Sequence, residues 1–251
     1  MNNYKLETYL NTLLSAKKIK DYCPNGLQIE GKTEVKKIIT GVTASMELIE
    51  KAIDYKADAL LVHHGYFWKG ENEKVIGMKR NRFKALLSHD INLYAYHLPL
   101  DVHPTLGNNA QLAQLLNLDI IDGLSAGDPL SIGNIATTKA PISAADFAKL
   151  VSDKLNRQVL LEAAGPEYVN RIGLCTGGAQ DYIEQAHARD ADLYITGEVS
   201  ERTIHSAREL GIHFISAGHH ATERYGAKAL GEYLITELGL DVTFVDIDNP
   251  A

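Results

Sequence analysis

The apolar positions of this chain change period along its length, and each change marks an element. Leu6, Leu10, Leu13 and Leu14 recur at helical spacing, which predicts an amphipathic helix over 3–18. In residues 21–31, Pro24, Gly26 and Gly31 surround a short apolar run, the pattern of a turn followed by an edge strand. From residue 35 the pattern becomes strand, helix, strand: a β-like run over 35–42, then a helix over 44–57 with Met46, Ile49, Ile53 and Ala57 on one side. A continuous apolar run at 59–62 stops at His63, a second helix fits 79–89, and a strand at 92–96 stops at His97. Alternation with crossovers of about a dozen residues predicts an α/β fold with helices packed on a sheet.

The second half repeats the plan. A strand and turn occupy 170–177, a helix 181–191, a strand 192–196, a helix 200–210, and a strand over 213–218 that stops at His219. Aligning Ala57-Asp58 with Ala191-Asp192 superposes Ile49-Glu50 on Ile183-Glu184 and Ala52 on Ala186. Few residues are identical, so chance likeness of two βαβ units is the competing reading. It gives no reason for both halves to end the last strand in His-x3-carboxylate. The expectation is two similar α/β domains, a first half over 1–125 and a second over 126–251, sharing one site. Residues 119–169 link them, with a strand at 131–137 and a helix at 144–155; a long helix at 220–238 and a strand at 241–247 complete the chain.

Composition narrows the function only by exclusion. Apolar residues are 45% and charged residues 23%, an ordinary globular balance. A net charge of −7 weighs against a sequence-independent grip on nucleic acid, which depends on Lys and Arg neutralising phosphate. Cys23 and Cys175 form no Cys-x-x-Cys pair and read as small buried thiols. No stretch approaches the ~20 apolar residues of a membrane span, and Lys5 and Glu7 interrupt any signal-peptide core. The expectation is a cytoplasmic protein without a membrane partner.

The chemistry is concentrated in three clusters: His63-His64, His97 with Asp101, and His219 with Glu223. Histidines at the carboxyl ends of strands stand where α/β sheets place ligands. His63 and His64 would face opposite ways along a regular strand, but Gly65 follows and lets the backbone turn. Pro99 keeps 97–101 from being a plain helix interior, so the stretch fits a loop entering a helix or turn with His97 on the strand end; the competing reading of Asp101 is an N-cap or turn carboxylate. The i, i+4 spacing of His219 and Glu223 puts both on one helix face, with Glu223 near the dipole's positive end. Mixed imidazole and carboxylate donors suit Zn, Fe, Mn, Co or Ni rather than Ca or Mg. Six ligands suffice for two divalent transition-metal ions per subunit with positions left for water, which is hydrolase logic. His220 beside the cluster, His205 and Arg202 after the TGE turn at 196–198, and Arg224 are candidates for supporting or substrate-binding roles. Tyr66, Phe67 and Trp68 could stack on a base or pack at a contact.

The motifs HHG (63–65), YHLPLD (96–101), ITGEVSERTIHSA (195–207) and GHHATE (218–223), with NGLQ (25–28) and GVTAS (41–45), closely resemble the NIF-three-like family in its short YbgI-type bacterial form. The resemblance spans essentially the whole chain. It implies a toroidal homohexamer with a dinuclear metal centre in each subunit, with His63, His64, His97, Asp101, His219 and Glu223 at the ligand positions. Members carry the label GTP cyclohydrolase I type 2 homologue. That implies a nucleotide-like substrate whose guanine ring is opened by metal-bound hydroxide. No Walker-type phosphate loop is present, so GTP rests on the resemblance alone. The competing function is a ring-shaped metal-handling or nucleic-acid-encircling protein that turns nothing over.

Overall fold

The computed structural model describes residues 1–251. Eleven strands follow in chain order: β1 (Gly26–Ile29), β2 (Lys37–Thr43), β3 (Ala59–His64), β4 (Asn92–Ala95), β5 (Asp119–Gly123), β6 (Asn134–Ser143), β7 (Leu160–Glu162), β8 (Tyr168–Leu174), β9 (Leu193–Thr196), β10 (His213–Ser216) and β11 (Asp241–Phe244). They form two mixed sheets, so the fold is α/β as the alternation predicts.

The chain divides into two compact units, Met1–Leu100 with Gly226–Asp248, and Asp101–Tyr225 with Asn249–Ala251. These units are not the sequential halves 1–125 and 126–251. Two stretches account for the difference. Helix Asn108–Leu115 buries Leu112 and Ala113 in the core of the second unit, with Leu116 and Leu118 just after it. The long helix His219–Leu238 carries the chain out of the second unit, and β11 then pairs in parallel with β2 of the first.

In the first unit the strand order is β1-β4-β3-β2-β11. β2, β3, β4 and β11 are parallel, and β1 closes one edge antiparallel to β4. The inner strands are covered on both faces, which is why 59–62 reads as an unbroken apolar run rather than an alternating one. Helix Met46–Asp54 starts where Ser45 Oγ accepts the amide of Leu48 at 3.2 Å. It lays Leu48, Ile49 and Ala52 against Leu60, Val62, Leu93 and Ala95. Each large apolar side chain so buried contributes about 1.5–3 kcal/mol. The first helix is shorter than the periodicity predicts: Asn3–Leu13, then Ser15 at φ 51° and one tight turn at Ala16–Lys18.

The second unit has the order β5-β6-β8-β9-β10-β7, with β8, β9 and β10 parallel and the remaining pairings antiparallel. Helix Ala144–Leu155 covers it with Phe147, Val151 and Leu155. The helix expected over 181–191 is only Ile183–His187 after a tight turn at Gln180–Tyr182, and the strand expected at 131–137 runs Asn134–Ser143.

The internal alignment has a hydrogen-bonded counterpart. Asp58 Oδ2 accepts the amides of Lys36 and Lys37 at the mouth of β2, and Asp192 Oδ2 accepts those of Asn170 and Arg171 at the mouth of β8. The amide of Ala57 reaches back to Ala52 O and that of Ala191 to Ala186 O, both across the turn from helix to strand. The aligned dipeptides therefore do the same work in each unit, which chance likeness leaves unexplained.

Candidate metal centre

In the first unit, Val62 of β3 stands opposite Ala95 of β4, so the two parallel strands end almost level. That register sets His63 and His64 beside His97, which follows β4 by two residues. Their donor nitrogens lie within 4.8 Å of one another. Ring centroids are 4.4 Å apart for His63–His64, 5.2 Å for His63–His97 and 5.8 Å for His64–His97. His63 is fully buried; its Nδ1 meets the Tyr96 carbonyl at 3.0 Å. A carbonyl only accepts, so Nδ1 carries the hydrogen and the lone pair is on Nε2. His64 Nδ1 lies 3.1 Å from Thr43 Oγ1, and His97 Nδ1 lies 2.7 Å from Asp21 Oδ1.

Gly65 serves close packing: a Cβ there would come within 2.2 Å of Gln28 Oε1 and 2.5 Å of Ala95 Cβ. Gln28 accepts the Tyr66 amide at 2.7 Å and donates to the Tyr66 carbonyl at 3.1 Å, so the NGLQ stretch pins the chain just after the paired histidines.

In the second unit His219 opens the long helix, and its Nε2 lies 3.0 Å from Glu223 Oε2, as the i, i+4 spacing requires. Its Nδ1 meets Glu198 Oε1 at 2.7 Å. Burial disfavours the His219 imidazolium, but Glu223 and then Glu198 outweigh it and raise its pKa to about 9. Glu223 sits against Gly177, whose φ is +70° and whose Cβ, if present, would lie 2.0 Å from Glu223 Oε1. Asp101 is buried in helix Leu98–Val102, where it accepts Asn108 Nδ2 at 2.9 Å and Thr176 Oγ1 at 3.4 Å. Acceptor oxygens of Asp101 and Glu223 lie within 4.8 Å of each other. At an effective dielectric of ~20, two charges at that distance repel by roughly 3.5 kcal/mol. Burial and these two carboxylates push the Cys175 thiol well above its ordinary pKa.

These donor sets fit divalent transition metals. Three imidazoles converge in one unit; in the other, buried Glu223 lies near both His219 and Asp101. The carboxylate repulsion is the kind of cost a cation relieves.

The supporting residues expected from sequence fall differently. Tyr66 is a core residue: it is 5% exposed, its hydroxyl donates to the Ala44 carbonyl at 2.7 Å, and burial pushes its pKa far up. Packing replaces the base-stacking role considered for it. Trp68 is the aromatic at the histidines, edge-on to His97 at 4.9 Å. Arg202 pairs with exposed Asp181 at 2.5 Å, and exposed His205 lies 3.5 Å from Glu201 on its own helix. Arg224 donates to the Leu155 carbonyl at 2.8 Å and lies over the Tyr225 ring, so it packs the helix. His220 is buried, its amide 3.2 Å from the Ala251 carbonyl. The residues that touch the candidate ligands, Asp21, Thr43, Glu198, Asn108 and Gly177, were missed. The only signal lay in GVTAS and TGE, which hold Thr43 and Glu198; Asp21, Asn108 and Gly177 stand in no motif singled out from the sequence.

A cavity of about 660 Å³ in the second unit has Asp101, His103, Asp122, Ser131 and Asn134 in its wall beside Ile120 and Ile121. Burial lowers the pKa of His103. No helix is long and apolar enough to cross a membrane.

Comparison with known proteins agrees with this architecture. A Haemophilus influenzae protein named GTP cyclohydrolase 1 type 2 homolog is 60% identical over 252 residues, covering all of both chains. An Escherichia coli K12 protein of the same name is 53% identical over the same span. The solved structure described as protein ybgI, unknown function, superposes with a TM-score of 0.97 at 52% identity over all of both chains. TTHA1606 from Thermus thermophilus gives 0.90 at 32% identity, again over all of both chains. The family model described as Duf34/NIF3 (NGG1p interacting factor 3) matches residues 1–250, and the chain belongs to that family.

Proposed function

We propose that the protein is a dinuclear metal-dependent hydrolase of a nucleotide or similar small molecule. In this reading His63, His64, His97, Asp101, His219 and Glu223 are the ligands of two divalent transition-metal ions. The observation that carries it is the convergence of the three histidine donors within 4.8 Å. Divalent ions held by such donors lower the pKa of coordinated water towards ~7 and polarise an oxyanion. The chain's own contribution is orientation: Tyr96 O, Asp21 and Glu198 each hold one Nδ1 hydrogen. Trp68 offers an apolar edge beside His97 against which a planar base could rest.

The names of the curated relatives support a purine nucleotide such as GTP as the first substrate to test, with ring opening as the reaction. The family resemblance supports assembly as a homohexameric toroid, and exposed Ile76 and Met78 (64% and 66%) are the kind of surface that assembly covers. Self-association and a small molecule, rather than nucleic acid or membrane, are the partners proposed.

The test begins with elemental analysis of untagged protein handled anaerobically. About two equivalents of transition metal are expected, falling sharply in His64→Ala and Glu223→Ala. Reconstituted protein is then incubated with GTP and other nucleotides and the products separated chromatographically. Metal without turnover of any nucleotide would favour the metal-handling alternative. Turnover that survives both substitutions would remove the proposed ions from the reaction.

A further inference from the structure

Asp21 and Cys23, in the loop before β1, form with His97 a second group of metal-type donors, all within 4.8 Å of one another. Taken alone it could be a third ion site. The hydrogen bonds of Asp21 argue otherwise. Its Oδ1 faces His97 Nδ1 at 2.7 Å and the Tyr22 amide at 2.6 Å. Its Oδ2 accepts the Leu98 amide at 2.9 Å and Asn25 Nδ2 at 2.9 Å. A carboxylate has about four lone-pair positions, and four donors occupy them. Its side chain is 3% exposed, so solvent supplies almost nothing. A carboxylate fully engaged in this way has no electron pair left for a cation.

The same geometry dictates the state of the histidine. An ionised carboxylate only accepts, so the hydrogen on His97 must reside on Nδ1, and the lone pair is on Nε2. Asn25 completes the clamp by accepting the His97 amide on Oδ1 at 2.8 Å. The clamp thus has two separable parts. Asn25 and one oxygen of Asp21 hold the backbone of 97–98, and the other oxygen holds the imidazole.

We infer that Asp21 is a positioning residue that fixes His97 as the Nε2-coordinating tautomer and aims it at a bound transition-metal ion. Glu198, 2.7 Å from His219 Nδ1, does the same for the second unit's histidine. Glu198 is about half exposed, against the nearly closed site of Asp21. Water can replace part of what Glu198 supplies, so Asp21 is expected to matter more.

This inference rests on the metal-binding reading above, and the experiment separates the two. Wild type, Asp21→Asn, Asn25→Ala and Glu198→Gln are compared as purified full-length chains. Zn²⁺ affinity is measured by chelator competition, with cobalt absorption spectra as a coordination signature. Long-range ¹H–¹⁵N spectra of the metal-free protein report which ring nitrogen of His97 bears hydrogen. Asp21→Asn is expected to weaken metal binding by roughly 10- to 100-fold, to alter the cobalt spectrum, and to lose the pure Nδ1–H signature. Asn25→Ala keeps the imidazole contact while removing the His97 backbone bond; it is expected to keep both the signature and affinity within about threefold. Glu198→Gln is expected to fall between. If Asn25→Ala weakens metal as much as Asp21→Asn does, the loop is a backbone clamp and the inference is overturned. Unchanged tautomer and affinity in Asp21→Asn overturn it as well, even should that variant be less stable. Wild type that binds no metal would instead defeat the functional reading, and the tautomer spectra alone would then decide Asp21's hold on His97.

Discussion

Replacing Gly177 by alanine tests the proposed metal-binding role of Glu223 at one atom. The residue sits at φ +70°, and its added Cβ would meet Glu223 Oε1 at 2.0 Å and His219 Nε2 at 3.3 Å. Left-handed backbone costs a non-glycine residue about 1–2 kcal/mol. In a chain of this size each kcal/mol shifts Tm by about 2–4 °C, so metal-free protein should lose about 2–8 °C. The clash itself adds little to that figure, because Glu223 Oε1 is the far end of a flexible side chain and can swing aside. The consequence falls on ligand geometry instead. Wild type at a metal concentration of 100 Kd gains ~2.7 kcal/mol; a hundredfold weaker variant at that concentration gains only ~0.4 kcal/mol. Differential scanning calorimetry with and without Zn²⁺ should therefore show a large metal-induced shift in wild type and almost none in Gly177→Ala. A full metal shift in the variant would refute the claim that this glycine exists to admit the carboxylate.

Three further outcomes follow from the packing and hydrogen bonding of the two units. Asn92 is fully buried and makes four hydrogen bonds, to Asn3, the Gly31 amide, and the Lys32 and Asp58 carbonyls. Asn92→Ala strands those groups and should cost about 3 kcal/mol or more in urea unfolding. Ile172→Ala empties a fully buried position in the second core and should cost about 2–5 kcal/mol by the same measurement, with no change in metal stoichiometry. Asp58 carries the pH prediction. Burial pushes its carboxyl up, but Lys32 and the amides of Lys37 and Lys36 outweigh that and hold it below its ordinary value. A depressed folded pKa adds stability that is fully present above the unfolded value of ~3.9 and is lost as pH falls through the folded one. Asp58→Asn should thus be less stable than wild type at pH 7, with the gap closing as pH falls through the lowered folded pKa of Asp58. A gap that stays constant across that range would contradict the assignment.

Much of this was legible in residue order because period and ligand chemistry are local. The run at 59–62 and the histidine after it announce a buried parallel strand with a donor at its end, and His219 with Glu223 needs only helical spacing. The Ala57-Asp58 and Ala191-Asp192 alignment needed only two dipeptides. Long-range partners were not legible. Nothing near Asp21 indicates that its carboxylate meets a ring 76 residues away, and Glu198 reads as part of a turn until His219 is folded against it. The direction of Tyr66 was not legible, because adjacency to the histidines suggests a shared direction, whereas the Gln28 contacts accompany a ring that enters the core. Helix Asn108–Leu115 escaped notice because its amphipathic pattern is short.

The return of β11 to β2 makes the gene indivisible at its midpoint. A fragment stopping at residue 125 would possess every strand of the first sheet except the one that shields β2, leaving Lys37–Thr43 as an open, largely apolar margin inviting a neighbour's backbone. Supplying 226–248 on a separate peptide should restore solubility, and a permuted chain starting at Gly226 and joined to Met1 through a flexible tether would keep that strand in cis. The tail of this polypeptide thus finishes the first unit only after the second has been built.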